Sequence, residues 1–438
     1  MTGPRVLHLG NIANNGYLNA KLQRRLDVPA EAVCDEWHIL SQPEWEDAPI
    51  QGADGYYAPL MEEAAQAGWT RPPWVHSYAR WDPESRQESW LGERVELALD
   101  VPRLTLQYPR TRRAYTRVRE LQGTRLRPID VLWAQAWLNR YRRQFPNAHF
   151  GRYDVVVAYS AHPILLMVDG GAPYVAFEHG TLRELPFGDD WRGRLLSLAY
   201  RRAAKVIITN PDVVASAKRL QLENYTFVPH PVDEGKYCPG PSELRRELEA
   251  QGHDPVLLAP SRHDWDIKGT DRMLQAFAQL VRRDQPKAIL LLLEWGQELE
   301  RSKALIRELG IERNVRWSPP LPKLRLIDAY RAADIVLDQF LIGTFGAVAP
   351  EAMACSRPVV MSYEPEIHTW CFPEPPPLVD ARTPEDIYRA LARLSADASE
   401  RKTLGRRGRE WVERHHGWRL VVERHLAIYE EVLAAQAG

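Results

Sequence analysis

Two short apolar runs, Ile335-Val336-Leu337 and Val359-Val360-Met361, and the chain between them constrain the fold more than any other stretch. Each run is continuous and rich in β-branched residues, which suits a strand buried on both faces. Between them the chain passes through Gly343-Thr344-Phe345-Gly346-Ala347 and enters a short apolar segment carrying one carboxylate, Glu351. Pro358 stops that segment, because proline has no N–H to continue a helix. Strand, glycine loop, helix, strand is a recurring way to set backbone N–H groups beside a phosphate. Glycines also serve ordinary tight turns, so the loop is weighed with the rest of the chain.

The pattern recurs on both sides. An apolar run at 5–10 opens into Asn11-Ile12-Ala13-Asn14-Asn15-Gly16, followed by a helical pattern over 18–26. Further strand-like runs lie at 153–159, 173–177, 205–209 and 227–228, then at 255–260, 288–293 and 315–317. Helical patterns separate them, which argues for parallel sheets. At 438 residues the chain is too long for one ordinary core. The expectation is an α/β protein of two Rossmann-like, doubly wound domains. Pro239-Gly240-Pro241 marks the linker, giving domains 1–238 and 239–415 and a terminal helix in 416–438.

Composition removes several alternatives. Hydrophobic residues at 45% and charged residues at 26% fit a globular protein, and a net charge of -1 gives no overall bias toward nucleic acid. The four cysteines have no ligand-like spacing, which suits free thiols in a reducing cytoplasm. The start of the chain reads as a first strand rather than a signal peptide, and no apolar run is long enough to span a membrane. One region is locally basic: 103–127 holds eight arginines and a single acid, Glu120. It suits a phosphorylated or lipid-linked acceptor, or peripheral contact with the inner membrane face, and equally a solvated helix face.

Several ordered motifs resemble the two-domain "B-fold" glycosyltransferases of the retaining family-4 group. They are the strand ending in His179-Gly180, VPHPVDEGKYCP at 228–239, PSRHDWDIKGTDRMLQAF at 260–277, the block 333–360 ending EAMAC-x-x-PVV, and the terminal helix. The resemblance implies two domains facing a central cleft, with the last helix crossing back onto the first. It also implies a nucleotide-diphosphate sugar as donor substrate, no other cofactor, and a carbohydrate, lipid-linked or small-molecule acceptor. A departing diphosphate accumulates negative charge, which fixed cations stabilise. Arg262 offers a forked donor and Lys268 a point charge. Gly346 and Ala347 would add backbone N–H groups beside Phe345, and Glu351 would accept the ribose hydroxyls. The resemblance places His179 and Gly16 near the donor sugar and assigns base recognition to backbone near Gly296. Taken without the motifs, Arg262 and Lys268 also read as surface ion pairs, Glu351 as a helix-start carboxylate and His179 as a core histidine.

Three features set the chain apart from a routine member. Asp264-x-Asp266 imitates a metal-holding pair but falls inside the Arg262–Lys268 loop, so the expectation is metal-independent activity with exposed loop acids. The family's paired glutamates are separated by seven residues. Glu351 matches the second, and the first falls on Gly343, where the family's carboxylate contacts sugar hydroxyls. Ser356 also stands where glycine is usual. Three readings stay open: a retaining glycosyltransferase, an epimerase or coupling enzyme on the same architecture with Glu178 as acid–base group, and a silent nucleotide-binding partner subunit.

Overall fold

The computed structural model describes residues 3–35, 38–53, 55, 57–77, 126–170 and 173–437. These form two compact units. The first holds residues up to Glu44, those after Gly55 as far as Val228, and those from Val422 on; the second holds Trp45–Gly55 and Pro229–Val421. Pro239-Gly240-Pro241 therefore lies inside the second unit, where Arg331 Nε donates to the Cys238 carbonyl at 2.8 Å. Most of the arginine-rich stretch 103–127, with Trp81 and Trp90, lies outside the described residues.

The first unit is built on seven strands: β1 (Val6–Leu9), β2 (Ala30–Cys34), β3 (Val75–Ser77), β4 (Val155–Tyr159), β5 (Tyr174–Phe177), β6 (Lys205–Ile208) and β7 (Tyr225–Phe227). The second has six: β8 (Val256–Ala259), β9 (Ile289–Leu293), β10 (Val315–Ser318), β11 (Ile335–Leu337), β12 (Val359–Met361) and β13 (Val379–Asp380). Their orders are β3-β2-β1-β4-β5-β6-β7 and β10-β9-β8-β11-β12-β13, with every ladder parallel. This is the doubly wound α/β class. Sequence order reverses between β1 and β4, and again between β8 and β11. Helices leaving the two central strands of such a sheet cross to opposite faces and open a crevice beyond the strands' carboxyl ends.

Helices on both faces explain why β4 and β9 are buried along their whole length. In the second unit the helix Thr270–Arg283 begins after Gly269, whose φ of +66° is a left-handed conformation suited to glycine. Met273, Leu274, Phe277 and Leu280 recur at helical spacing and pack with Ile387, Leu391 and Leu394 over Leu290, Ile335 and Leu337. Ile387, Leu391 and Leu394 belong to the helix Pro384–Ala396, which starts with a capping box: Thr383 Oγ1 accepts from Asp386 N at 3.2 Å and Asp386 Oδ2 accepts from Thr383 N at 3.2 Å.

In the first unit a buried polar relay joins distant parts of the chain. Asn19 Nδ2 donates to Tyr159 Oη at 2.9 Å, Tyr159 Oη lies 2.8 Å from His8 Nδ1, and His8 Nε2 lies 3.1 Å from Gln23 Oε1. Gln23 Nε2 then donates to Tyr429 Oη at 3.0 Å, on the helix Trp418–Ala437. The terminal helix is thus a structural part of the first unit from Val422 on. Among the described residues no helix is long and apolar enough to cross a membrane.

Ser356 follows the helix Val348–Ala354 with a φ of +57°, the left-handed position at which glycine normally ends a helix. A side chain there strains the backbone, so Ser356→Gly is expected to stabilise the protein by about 1 kcal/mol. A denaturant midpoint that falls or stays put would contradict this.

Candidate functional site

Most of the expected donor-site residues come together at the switch point of the second sheet, on the loops leaving β8 and β11. The β8 loop is organised by Asp264. Its Oδ1 accepts from Ile267 N at 2.8 Å, its carbonyl accepts from Lys268 N at 3.0 Å, and its Oδ2 accepts from Arg262 Nη2 at 3.1 Å. Of the two acids expected to be exposed, Asp266 is, whereas Asp264 is half-buried and builds the turn. Among the described residues no group of three or more histidine, cysteine or carboxylate side chains is arranged to hold a metal.

The two cations of this loop differ in setting. The Arg262 side chain is 45% exposed, at the rim. Lys268 is 19% exposed, and its Nζ donates to Gln339 Oε1 at 2.5 Å and lies 3.9 Å from Asp338 Oδ1. Asp338 and Gln339 are themselves buried, and Ser261 Oγ donates to Asp338 Oδ1 at 2.7 Å. Phe340 N donates to the Lys268 carbonyl at 2.9 Å, so the β8 and β11 loops are tied by backbone as well. Lys268 is therefore held inside the loop junction, while Arg262, paired with Asp264, lies on an exposed rim.

The glycine loop after β11 is shaped by two contacts. Gly343 has a φ of +70°; its N–H donates to Ser362 Oγ at 3.0 Å and its carbonyl accepts from Glu364 N at 2.9 Å. Gly346 has open space around it, and Ala347 leads directly into the helix Val348–Ala354. Phe345 does not present its ring to a ligand. The ring is buried against His368 at 5.1 Å and near Phe372 and Trp411. What Phe345 can offer is backbone.

Glu351, the fourth residue of that helix, is more crowded than the sequence implies. Tyr237 Oη donates to its Oε1 at 3.3 Å, Tyr330 Oη donates to its Oε2 at 3.1 Å, and Lys323 Nζ pairs with Oε1. These donors fix the rotamer of the carboxylate while leaving lone pairs for further acceptance. Gly296, with a φ of +111°, marks a close backbone crossing: any side chain there would strike the main chain of His263, whose N–H donates to the Trp295 carbonyl at 2.9 Å.

His179 and Gly16 lie together in the first unit, beyond the carboxyl ends of β5 and β1. Asn15 Nδ2 is 3.4 Å from His179 Nε2. Burial first, then the nearby Arg183 guanidinium, lower the His179 pKa to about 4, so the imidazole is neutral at physiological pH. Gly16 opens its helix pressed against the Gly10 carbonyl, leaving no room for a side chain. Beneath the His179 turn, Glu178 is fully buried; burial pushes its carboxyl up to about 7, against the opposing pull of Arg183, Asn210 and backbone N–H groups.

Sequence reasoning did not single out Lys323, Tyr237, Tyr330, Ser362 or Glu364. Lys323, Ser362 and Glu364 follow the carboxyl ends of β10 and β12, and that position is the signal by which they could have been found.

Residues 242–411 match the family Glycosyl transferases group 1. The matched residues lie within the second unit. The chain is 34% identical over 216 residues to the D-inositol 3-phosphate glycosyltransferase of Saccharomonospora viridis, covering 47% of this chain and 50% of that protein. The chain thus spans about half the length of the curated relatives it matches. Over the whole fold, sucrose-phosphate synthase from Thermosynechococcus elongatus superposes with a TM-score of 0.63 at 16% identity, covering 98% of this chain and 100% of that one. HepE of Anabaena, solved in complex with UDP-glucose, superposes with a TM-score of 0.62 at 15% identity, covering 98% and 99%. These likenesses are of fold, and they cover residues outside the matched stretch as well.

Proposed function

We propose that the protein is a retaining, metal-independent glycosyltransferase that moves a sugar from a nucleoside-diphosphate sugar to a hydroxyl acceptor. The observation that carries this reading is Lys268, fixed by Gln339 and Asp338 where the β8 and β11 loops meet within the group 1 domain. A cation held in that position is preorganised for a departing diphosphate and needs no reorganisation as charge develops. Arg262 supplies a second, adaptable cation, the Gly343–Ala347 segment supplies backbone N–H groups, and Glu351 accepts the ribose hydroxyls. Neutral His179 is assigned to the sugar. Retention by front-side displacement requires no protein nucleophile.

The epimerase reading loses support, because a general acid–base group must reach its substrate and Glu178 is sealed beneath its own loop. The test is release of nucleoside diphosphate from a panel of nucleotide sugars, with D-inositol 3-phosphate, simple glycosides and lipid-linked sugars as acceptors. Transfer that persists in a chelator and yields a product with the donor's anomeric configuration is expected. Inversion, or activity restored only by manganese, would overturn the corresponding part.

A further inference from the structure

Gly343 stands where a side chain is geometrically excluded. Its φ is +70°, and a Cβ built there would lie 2.6 Å from Cγ and 2.9 Å from Cδ of Glu364. The place a residue-343 side chain would occupy is filled by the side chain of Glu364, delivered from the loop after β12. Backbone pairing fixes the two together, since Glu364 N donates to the Gly343 carbonyl at 2.9 Å.

The Glu364 carboxylate is held but not consumed. Arg382 Nη1 donates to its Oε1 at 3.3 Å, and Arg382 is steadied in turn by the Tyr363 carbonyl at 2.6 Å and by Asp380 Oδ1 at 3.4 Å. Its other oxygen, Oε2, makes no hydrogen bond among the described residues, and the side chain is 42% exposed. An anchored carboxylate with one open oxygen is poor at binding phosphate, which it repels, and well suited to accept hydrogen bonds from neutral hydroxyls. It stands on the loop cluster that also carries Lys268 and the Gly343–Ala347 segment.

The geometry points to Glu364 as the donor-sugar specificity residue of this protein, accepting hydroxyl hydrogen bonds from the glycosyl group through Oε2. The inference rests on the transferase reading of the donor loops. A site that hydrogen-bonds a hydroxyl discriminates against a sugar that lacks it or points it elsewhere, because the positioned acceptor then loses its partner.

The experiment compares wild type with Glu364→Gln, which keeps the size and removes the charge. Calorimetry measures affinity for intact nucleotide sugars that share a base and differ at single hydroxyls, and for the free nucleoside diphosphate. Turnover is measured on the same panel. Glu364→Gln is expected to weaken the preferred nucleotide sugar by about 10-fold and to compress the preference among epimers by a similar factor, with diphosphate affinity changed by less than about 2-fold. An unaltered preference among epimers would overturn the inference, as would a parallel loss of diphosphate affinity, which marks a purely structural role. A wild-type protein that binds nucleotide sugars without turning any over refutes the transferase reading instead, and the affinity comparison still decides Glu364. An unchanged melting midpoint establishes that the variant is folded.

Discussion

Lys268→Ala is expected to lower turnover by about 100- to 1,000-fold while weakening nucleotide affinity by less than about 10-fold. The asymmetry follows from how the amine is held. Gln339 Oε1 at 2.5 Å and Asp338 Oδ1 at 3.9 Å set Nζ before any substrate arrives, and the side chain is only 19% exposed. A fixed, poorly solvated charge interacts more strongly with the fully developed diphosphate than with the ground state. Arg262 is the internal comparison. It sits at the rim, is 45% exposed and shares its guanidinium with Asp264 at 3.1 Å, so water and salt screen it. Arg262→Ala is therefore expected to cost less turnover than Lys268→Ala. Steady-state kinetics with product-release controls check both. Equal losses in turnover and nucleotide affinity for Lys268→Ala would show that the amine binds substrate and transition state alike. Ser261 still donates to Asp338 in the variant, which limits the structural cost of removing the amine.

The parts legible in the sequence were those set by local pattern. β1, β4, β8, β9, β11 and β12 are short apolar runs because both faces are covered, and all stand where the runs predict. β2, β3 and β13 were not read. β3 and β13 are edge strands of only three and two residues, and β2 carries Glu31 among small residues, with no continuous apolar run to mark it. The helix Pro128–Gln144 was hidden as well, since its buried face includes Asp130 and Gln135 beside Val131, Ala134 and Leu138. Asp130 is held by Arg194 at 2.8 Å, a partner that periodicity cannot supply.

The site divides in the same way. Residue types suited to phosphate could be named from chemistry and the family motifs, and they lie on the adjacent β8 loop (Arg262, Lys268) and β11 loop (Gly343–Ala347). Their partners could not, because Glu364 over Gly343 and Lys323 on Glu351 join residues on separate elements through the fold. Gly343 shows the difference. By the family resemblance it is a missing carboxylate; in three dimensions the Glu364 side chain from the next loop occupies that place.

His425→Leu is expected to stabilise the protein at neutral pH and to do so increasingly as the solution is acidified. His425 lies on the terminal helix, fully buried, with neither ring nitrogen hydrogen-bonded among the described residues. Leaving buried polar atoms unpaired costs about 1–3 kcal/mol, which leucine removes. Burial lowers the His425 pKa to about 3, and burial likewise lowers that of His8 to about 4. For a histidine with a depressed folded pKa, the unfolded chain binds the extra proton. Its contribution is complete above the unfolded value near 6.5 and falls as pH drops toward the folded value. Between pH 7 and pH 5 each of these two histidines should cost about 2 kcal/mol. Glu178 acts in the opposite sense: its raised pKa, about 7, means that the folded protein gains stability as this carboxyl protonates, offsetting about 2 kcal/mol over the same interval. His425→Leu should therefore lose about 2 kcal/mol less than wild type over this interval, and Glu178→Gln about 2 kcal/mol more. Urea midpoints at pH 7 and pH 5 measure all three. A wild-type and His425→Leu pair that lose stability in parallel on acidification would mean that His425 takes up its proton without unfolding, and hence that the helix opens locally around it.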